Sequence, residues 1–435
     1  MKIINNKKEA IQELERISNR TNSENNYKVN LIVEEILKEV KTYGDIAVEK
    51  YTRKFDGFNP NPMQVSPNNL KDAWDAIDNK LKKSLEVAHE RIKKFHEKEI
   101  PSSFSIEGEF GDTVQRIWRP VKKAGLYIPG GRAAYPSTVL MNAIPAKVAG
   151  VKEIIMVSPG NKEGRINKTV LAAAHLSGIK KVFRIGGAQA IGALAFGTNQ
   201  IDKVDVISGP GNIYVTTAKK LIYGSTGIDS LAGPSEILII ADETANSKHI
   251  ASDLLAQAEH DPLASSILLT TSELQAKEVL EDLYKKINDH PRKEICMQSI
   301  KNWGLIVICE NQESCIELCN NFAPEHLEIL AFNSDKILEH IENAGAIFLG
   351  QWTPEAVGDY LAGPNHTLPT SGNSRFSGSL GVETFMKNTS IIKFNEESLK
   401  VNSLDIINLA ESESLHSHAN SVKIRLEDQQ TFEGE

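Results

Sequence analysis

Residues 204–224, VDVISGPGNIYVTTAKKLIYG, contain an apolar strand, a glycine turn and a helical pattern in one short segment. The same alternation recurs from about residue 120 onward. Further strands of this apolar kind are GLYIPG (125–130), EIIMVS (153–158), KVFRIGG (181–187), EILIIAD (236–242), SILLTT (266–271), GLIVICE (304–310) and AIFLG (346–350). Helical patterns lie between them, such as KTVLAAAHLSG (168–178) and SKHIASDLLAQAEH (247–260). Continuous apolar strands with helical crossovers predict parallel sheets covered on both faces.

The number of these strand–helix units exceeds what one compact sheet needs, so we expect an α/β protein with two sheet domains. A chain of 435 residues has ample core for this. The expected regions are a helical N-terminal region (1–115), a first sheet domain (116–235), a second sheet domain (236–385) and a small tail domain (386–435). Ile32, Ile36 and Val40 form one apolar helical stripe of the first region, which shows no catalytic constellation.

The composition narrows the possible partners. Hydrophobic residues make up 40% of the chain, and the net charge of −8 is spread without a basic block, which argues against nucleic-acid and membrane-surface partners. The N-terminus lacks the apolar stretch of a signal peptide, and no apolar run approaches a membrane span. The four cysteines, Cys296, Cys309, Cys315 and Cys319, lack the paired spacings of a zinc site. We therefore expect buried free thiols and a cytoplasmic location.

Three strand ends run into glycine, at 127–131, 186–189 and 209–212. Glycine allows a ligand to approach the backbone, and the helix that follows each turn attracts anions at its N-terminus. No turn matches the dinucleotide fingerprint G-x-G-x-x-G, because Tyr214 stands where the third glycine belongs. Each turn alone is more typical of a tight turn. Three of them at strand carboxyl ends favour a ligand site.

Two segments place polar residues beside apolar patterns. In LLAQAEHDP (254–262), Gln257 lies in a helical stripe with Ile250 and Leu254, and His260 borders that stripe. The pattern stops at Asp261-Pro262, where proline ends a helix. This Gln is either a hydrogen-bonded core residue or part of a site. In NNFAPEHLEIL (320–330), a neighbouring carboxylate and imidazole form either a proton-transfer pair or a solvated loop pair.

Two further segments carry candidate ligands. PEAVGDYLAGPNHTLPTSG (354–372) contains Asp359 and His366, and LAESESLHSHANSV (409–422) contains several acidic residues and histidines. Most such clusters are exposed polar faces. Together with Gln257 and His260, however, Asp359 and a histidine would form a set of nitrogen and oxygen ligands that suits zinc, although a Gln carbonyl is a weak ligand. The spacing does not show whether these segments meet.

Taken together, the motifs resemble those of the histidinol dehydrogenases, and they occur in the family's order over most of residues 115–423. The matching motifs are GLYIPGGRAAYPSTVLMNAIPAKVAG, RIGGAQAIGALAFGT, SGPGNIYVTTAKK, GIDSLAGPSEILIIAD, LLAQAEHDPLA, APEHLEIL, VGDYLAGPNHTLPTSG and ESLHSHANSV. The resemblance implies two incomplete Rossmann-like parallel-sheet domains, the helical N-terminal region and the small tail domain. It also implies a homodimer with exchanged tails and the zinc-dependent, NAD-linked oxidation of L-histidinol through L-histidinal to L-histidine, the last steps of histidine biosynthesis.

The resemblance also implies the site residues. The zinc ligands, which also contact substrate, would be Gln257, His260, Asp359 and His418. Further substrate contacts would be Ser235, His326, His366 and Glu413. The NAD contacts would be Tyr127, Gln189 and Asn212. Glu325 and His326 would be the catalytic acid/base pair. His418 is preferred to His416 because it follows Glu413 by five residues, and Ser414 stands where the family usually has glycine.

Three other functions fit parts of this pattern. A related zinc- and NAD-dependent dehydrogenase could oxidise another small alcohol. A zinc hydrolase could use Glu325 to activate water, but the glycine turns would then have no role. A nucleotide-binding module without catalytic activity would not need the zinc ligands.

Overall fold

The computed structural model describes residues 1–20, 25–130 and 134–427. Its residues form two compact units. The first contains Met1–Glu99 and Val121–Phe385, and the second contains Ile100–Pro120 and Met386–Glu435. Helices alternate with parallel strands in the first unit, so the predicted α/β class is confirmed. Within the described residues, no helix is both long and apolar enough to cross a membrane.

The N-terminal part of the chain is mostly helical. Its elements are β1 (Lys2–Ile4), α1 (Lys7–Ser18), α2 (Asn25–Tyr43), α3 (Asp45–Asp56), α4 (Pro67–Ala76), α5 (Asn79–His96), β2 (Phe104–Glu107) and β3 (Thr113–Pro120). The apolar face of α2 differs slightly from the predicted stripe: Val33, Ile36 and Val40 are buried, whereas Ile32 is 41% exposed. This buried face belongs to the core of the first sheet, because α2 packs against the helix at residues 187–196.

The first sheet has five parallel strands with helices between them. Its elements are β4 (Lys123–Tyr127), α6 (Pro136–Val148), β5 (Glu153–Val157), α7 (Lys168–Leu176), β6 (Lys181–Phe183), α8 (Gly187–Phe196), β7 (Val206–Ser208), α9 (Ile213–Ile222) and β8 (Gly227–Ile228). The spatial order is β6-β5-β4-β7-β8. The direction in which successive strands are added reverses beside β4, as in one half of a Rossmann fold. Because all five strands are parallel, the three glycine turns, which follow β4, β6 and β7, lie at the same carboxyl edge of the sheet.

The second sheet repeats this order. Its elements are β9 (Glu236–Ala241), α10 (Ser247–Ala258), β10 (Ser265–Thr270), α11 (Glu273–Asn288), α12 (Lys293–Trp303), β11 (Gly304–Ile308), α13 (Gln312–Phe322), β12 (His326–Leu330), α14 (Ser334–Leu338), β13 (Ala346–Leu349) and α15 (Glu355–Tyr360). The parallel order is β11-β10-β9-β12-β13, and β1 adds a sixth strand beside β11. The four cysteines are buried free thiols in this domain, as predicted.

The second unit joins two distant parts of the sequence. Its C-terminal elements are β14 (Met386–Lys393), α16 (Glu396–Ser412) and α17 (His416–Glu427). β14 pairs antiparallel with β3 along eight residue pairs, and β3 pairs with β2. The tail therefore shares a sheet with residues 104–120, which the sequence placed around the border between the helical region and the first sheet domain. Short 3₁₀ turns at Asn373–Arg375 and Val382–Phe385 precede the tail.

Candidate active site

Several of the predicted polar residues lie near the amino edge of the second sheet. Glu236 is the first residue of β9 and His326 is the first residue of β12, and these two strands are neighbours. α10 runs back toward the same edge and ends at Ala258, before the Asp261-Pro262 pair that was expected to end it. His260 therefore lies in a turn, which the Asp261 side chain stabilises by accepting the Leu263 N–H at 2.9 Å.

Three side chains form a cluster suited to a metal ion. Ligand atoms of His260, Glu355 and Asp359 all lie within 4.8 Å of one another. Glu355 and Asp359 are four residues apart on α15, so they project from the same helix face. Sequence analysis identified Asp359 and missed Glu355, although the spacing of the two acids in PEAVGD was a usable signal. Imidazole nitrogen and carboxylate oxygen are both common zinc donors.

Gln257 lies directly behind this cluster. Its side chain is fully buried. In the amide orientation that satisfies its neighbours, its nitrogen donates to both Glu355 oxygens at 2.6 and 3.1 Å, and its oxygen accepts the Glu236 N–H at 2.7 Å. A polar residue in the apolar stripe of α10 is thus explained by contacts to the site.

His326 is a buried imidazole in surroundings that favour its neutral form. It is only 4% exposed, and its Nδ1 lies 3.0 Å from the Glu236 carbonyl oxygen. Because a carbonyl only accepts, Nδ1 carries the proton and Nε2 keeps its lone pair. Burial lowers the His326 pKa below its usual 6.5, the nearby His260 and His366 add to this effect, and Asp359 opposes it.

Glu325 is a buried carboxyl group beside that imidazole, with its Oε2 3.6 Å from His326 Nδ1. It is 6% exposed, and its Oε2 accepts the Glu236 N–H at 2.8 Å. Burial raises the Glu325 pKa well above 4.5, and the charges of Glu236 and Asp359 raise it further. A carboxylate with a raised pKa is a stronger base when ionised, which suits the activation of water.

His366 and Ser235 border the same region. The His366 Nδ1–H donates to the Asp359 carbonyl at 2.9 Å, and its Nε2 lies 3.3 Å from the Thr138 hydroxyl of α6. Burial lowers the His366 pKa. Ser235 immediately precedes β9 and is partly buried. The structure thus brings six predicted residues together with Glu325: Ser235, Gln257, His260, His326, Asp359 and His366.

An ion pair that sequence analysis missed supports this edge of the sheet. Arg20 and Glu236 form a salt bridge of 2.9 Å with both side chains fully buried. Arg20 also donates to the carbonyls of Leu263 at 2.7 Å and Pro234 at 2.8 Å. The other Glu236 oxygen accepts the Ser371 N–H at 3.2 Å. A residue from the N-terminal region therefore ties together the segments that flank the candidate site.

The glycine turns of the first sheet carry the three predicted nucleotide contacts. The Tyr127 hydroxyl accepts the Gly187 N–H at 3.2 Å. Gln189 is 1% exposed, and both polar atoms of its amide have no hydrogen-bond partner among the described residues. Asn212 caps α9 through its Oδ1. Gly131, in the first turn, lies outside the described residues. An unpartnered buried amide is costly, so a ligand at this edge would satisfy it.

The third glycine turn is fixed by a second buried ion pair. The Gly209 N–H donates to Asp229 at 2.8 Å, and its carbonyl accepts from Lys219 at 3.1 Å. Lys219 and Asp229 also form a buried salt bridge with each other. Gly209 has a φ of 117°, and a Cβ there would lie 2.0 Å from the Tyr127 carbonyl oxygen. The turn therefore requires glycine for both conformation and space.

Glu413 and His418 lie in the second unit, and both side chains are exposed. Glu413 follows the last residue of α16, and Ser414 adopts a φ of 61°. Glycine adopts this left-handed conformation at a helix C-terminus more readily than serine does.

Comparisons with known proteins identify the family of this chain. The family model described as histidinol dehydrogenase matches residues 19–426. A histidinol dehydrogenase of Prochlorococcus marinus strain MIT 9312 is 89% identical over 98% of this chain and 97% of its own length. One of Thermosynechococcus vestitus is 50% identical over 98% of this chain and 100% of its own length. The crystal structure of histidinol dehydrogenase from Elizabethkingia anophelis is 38% identical, covers 92% of each chain and has a TM-score of 0.88. The chain belongs to the histidinol dehydrogenase family.

Proposed function

We propose that this enzyme performs the zinc-dependent, NAD-linked four-electron oxidation of L-histidinol to L-histidine through L-histidinal in the cytoplasm. The observation that carries the proposal is the position of the His260, Glu355 and Asp359 cluster beside the buried, neutral His326. Gln257, with its amide turned so that the oxygen and not the nitrogen faces Glu355, would hold the zinc ion together with His260, Asp359 and His418. Zinc bound there would act as a Lewis acid that orients the substrate.

The charge of the site supports a bound cation. Burial and mutual repulsion raise the pKa of Glu355 well above its usual value, with Asp359 and Glu325 among the causes. Arg20 pairs with Glu236 and not with this cluster. Carboxylates crowded in a poorly solvated region are stabilised by a dication or by the ammonium group of an amino alcohol. L-Histidinol brings such an ammonium group.

The nucleotide would occupy the carboxyl edge of the first sheet. Tyr127, Gln189 and Asn212 would contact it, and the unpartnered Gln189 amide is the structural feature that most favours a ligand there. Bound NAD⁺ would accept hydride from the substrate carbon. Burial raises the Tyr127 pKa to about 12, so its hydroxyl remains protonated at neutral pH.

The acid/base pair would divide the work between the two oxidations. In the first, Nε2 of His326 removes the proton of the substrate alcohol. In the second, the aldehyde must first gain a water molecule, and Glu325 would take the proton of that water. His326 then removes the proton of the hydrate. Ser235 and His366 would orient the substrate through hydrogen bonds.

NADH formation from L-histidinol, measured with and without a chelator, tests the proposal. We expect activity that the chelator removes and that added zinc restores. Activity on another small alcohol but not on L-histidinol would identify a different dehydrogenase. Hydrolysis without NADH formation would identify a zinc hydrolase. Absence of bound metal after purification and reloading would favour a nucleotide-binding module.

We further propose a homodimer in which Glu413 and His418 complete the site of the partner subunit. Both side chains are exposed in the single chain, and a two-fold dimer allows a reciprocal exchange of tails. Glu325→Gln and His418→Ala variants, each expected to oxidise L-histidinal poorly when alone, can be unfolded and refolded together and assayed with L-histidinal. With exchanged tails, about a quarter of all sites in the mixture carry neither defect. Mixed dimers that stay as inactive as their parents would contradict the exchange.

A further inference from the structure

A buried pair of carboxyl groups lies beneath the candidate site. Glu328 is fully buried in β12, and it lies two residues after His326, so both side chains are on the same sheet face. Its Oε1 accepts the Glu355 N–H at 2.9 Å. The charge of Asp253, a partly buried residue of α10, raises the Glu328 pKa, and the second Glu328 oxygen has no other hydrogen-bond partner among the described residues.

This pair links the three elements that carry the site. β12 carries His326, α10 carries Gln257, and α15 carries Glu355 and Asp359. Glu328 contacts both of the other elements from β12. The first residues of a helix leave N–H groups without intrahelical partners. The residue before α15 is Pro354, which provides no side-chain cap, so the Glu328 carboxyl performs that role for Glu355.

We propose that Glu328, held by Asp253, is a positioning residue that sets α15 against β12 and α10, so that Glu355 and Asp359 are aligned with His326. Glu328 contacts neither metal nor substrate in this role. Its effect passes through the backbone of α15. The activity measurement rests on the proposed oxidation of L-histidinol, whereas the metal measurement rests only on the cluster of His260, Glu355 and Asp359.

The test compares Glu328→Met with Glu328→Gln in the full-length protein. Methionine has a similar length but removes the acceptor of the Glu355 N–H. Glutamine keeps an acceptor and can donate to Asp253. Zinc affinity is measured by chelator competition, and kcat and KM for L-histidinol are measured at saturating zinc. Residues that orient metal ligands typically contribute about 10–100-fold to metal affinity or activity. We therefore expect Glu328→Met to lose about 10–100-fold in zinc affinity, and we expect Glu328→Gln to retain most of it.

Gln275→Met provides a matched control. Gln275 is also buried in this domain, and its side chain donates to the Ala245 carbonyl at 2.9 Å outside the candidate site. We expect this variant to melt at a lower temperature with unchanged zinc affinity. Equal zinc affinities for Glu328→Met and Glu328→Gln would overturn the proposal, as would an equal loss in Gln275→Met.

Asp253→Ala keeps the inference testable if Glu328→Met does not fold. This variant leaves the bond from Glu355 to Glu328 in place and removes only the link to α10. We expect a smaller but measurable loss of zinc affinity, and an unchanged affinity would overturn the proposal. If the unsubstituted enzyme formed no NADH from L-histidinol, the proposed function would fail, while the zinc measurements would still decide the role of Glu328.

Discussion

Replacing Arg20 by methionine should destabilise the second sheet domain and alter the candidate site. Arg20 and Glu236 are both fully buried, and their charges lie 2.9 Å apart. Removing one partner of a buried ion pair typically costs about 3–5 kcal/mol, because the other charge stays buried without compensation. The carbonyls of Leu263 and Pro234 lose their donor as well. We therefore expect the free energy of unfolding of the second sheet domain to fall by at least about 3 kcal/mol.

Hydrogen exchange provides the measurement. Unfolding of a protein with several domains need not be two-state, whereas exchange of the β9 amide protons gives a local free energy of opening. The double variant Arg20→Met/Glu236→Gln lacks the buried Glu236 charge that Arg20→Met leaves without a partner. Its glutamine still offers an oxygen that can accept the Ser371 N–H. The free energy of opening of the double variant should exceed that of Arg20→Met by about 0.5–3 kcal/mol, which is the usual coupling energy of contacting residues. Equal stabilities of the single and double variants would refute the electrostatic argument.

The same substitution should change the pH dependence of the aldehyde step. Arg20 lowers the Glu325 pKa, whereas burial and the Glu236 charge raise it. Without Arg20 the Glu325 pKa rises further. Glu325 must be ionised to act as a base. As the pH is lowered, the variant would therefore protonate Glu325, and lose activity, at a higher pH than the unsubstituted enzyme. The acid limb for L-histidinal oxidation should therefore move to higher pH in Arg20→Met, and an unmoved limb would show that Arg20 acts only on stability.

Three other predictions follow from the site. His260→Ala and Asp359→Ala should each abolish zinc binding without unfolding the chain, and full zinc occupancy by metal analysis would show that the ligands are wrong. Glu325→Gln should slow mainly L-histidinal oxidation, by about 10²–10⁴-fold, whereas His326→Asn should slow both steps; equal damage to both steps by Glu325→Gln would contradict the division of roles. Asp229→Ala removes the acceptor of the Gly209 N–H and leaves Lys219 buried without its partner, so it should lower the melting temperature and also weaken NAD⁺ binding by about tenfold, with the KM for L-histidinol as the control.

Local patterns in the sequence were sufficient to predict the α/β alternation. All eight apolar segments form strands. The strands of a parallel sheet are buried on both faces, so they are continuous apolar runs that can be recognised between helical segments. The glycine turns likewise lie at strand carboxyl ends. The pairing of β14 with β3 was not predictable, because it joins segments more than 250 residues apart and neither strand has a strong apolar alternation.

Contacts over long sequence separations also explain which site residues were missed. Glu355 was detectable, because its spacing from Asp359 places both acids on one helical face. Arg20 and Glu236 were not, because the pair spans 216 positions and each residue alone is typical of a surface charge. Glu328 sits in an apolar strand, where its burial follows from contacts with two other elements.

The location of the site at the amino edge of the second sheet contrasts with the usual place of ligands in parallel sheets. In the first sheet, the carboxyl edge receives helix N-termini, whose positive dipole ends suit the phosphates of a dinucleotide. At the amino edge of the second sheet, α10 arrives with its C-terminus, next to Gln257 and His260. The negative dipole end of a helix favours cations. Two sheets with the same strand order can thus differ in charge preference at the two edges, which is consistent with the proposed nucleotide at one edge and the proposed metal ion at the other.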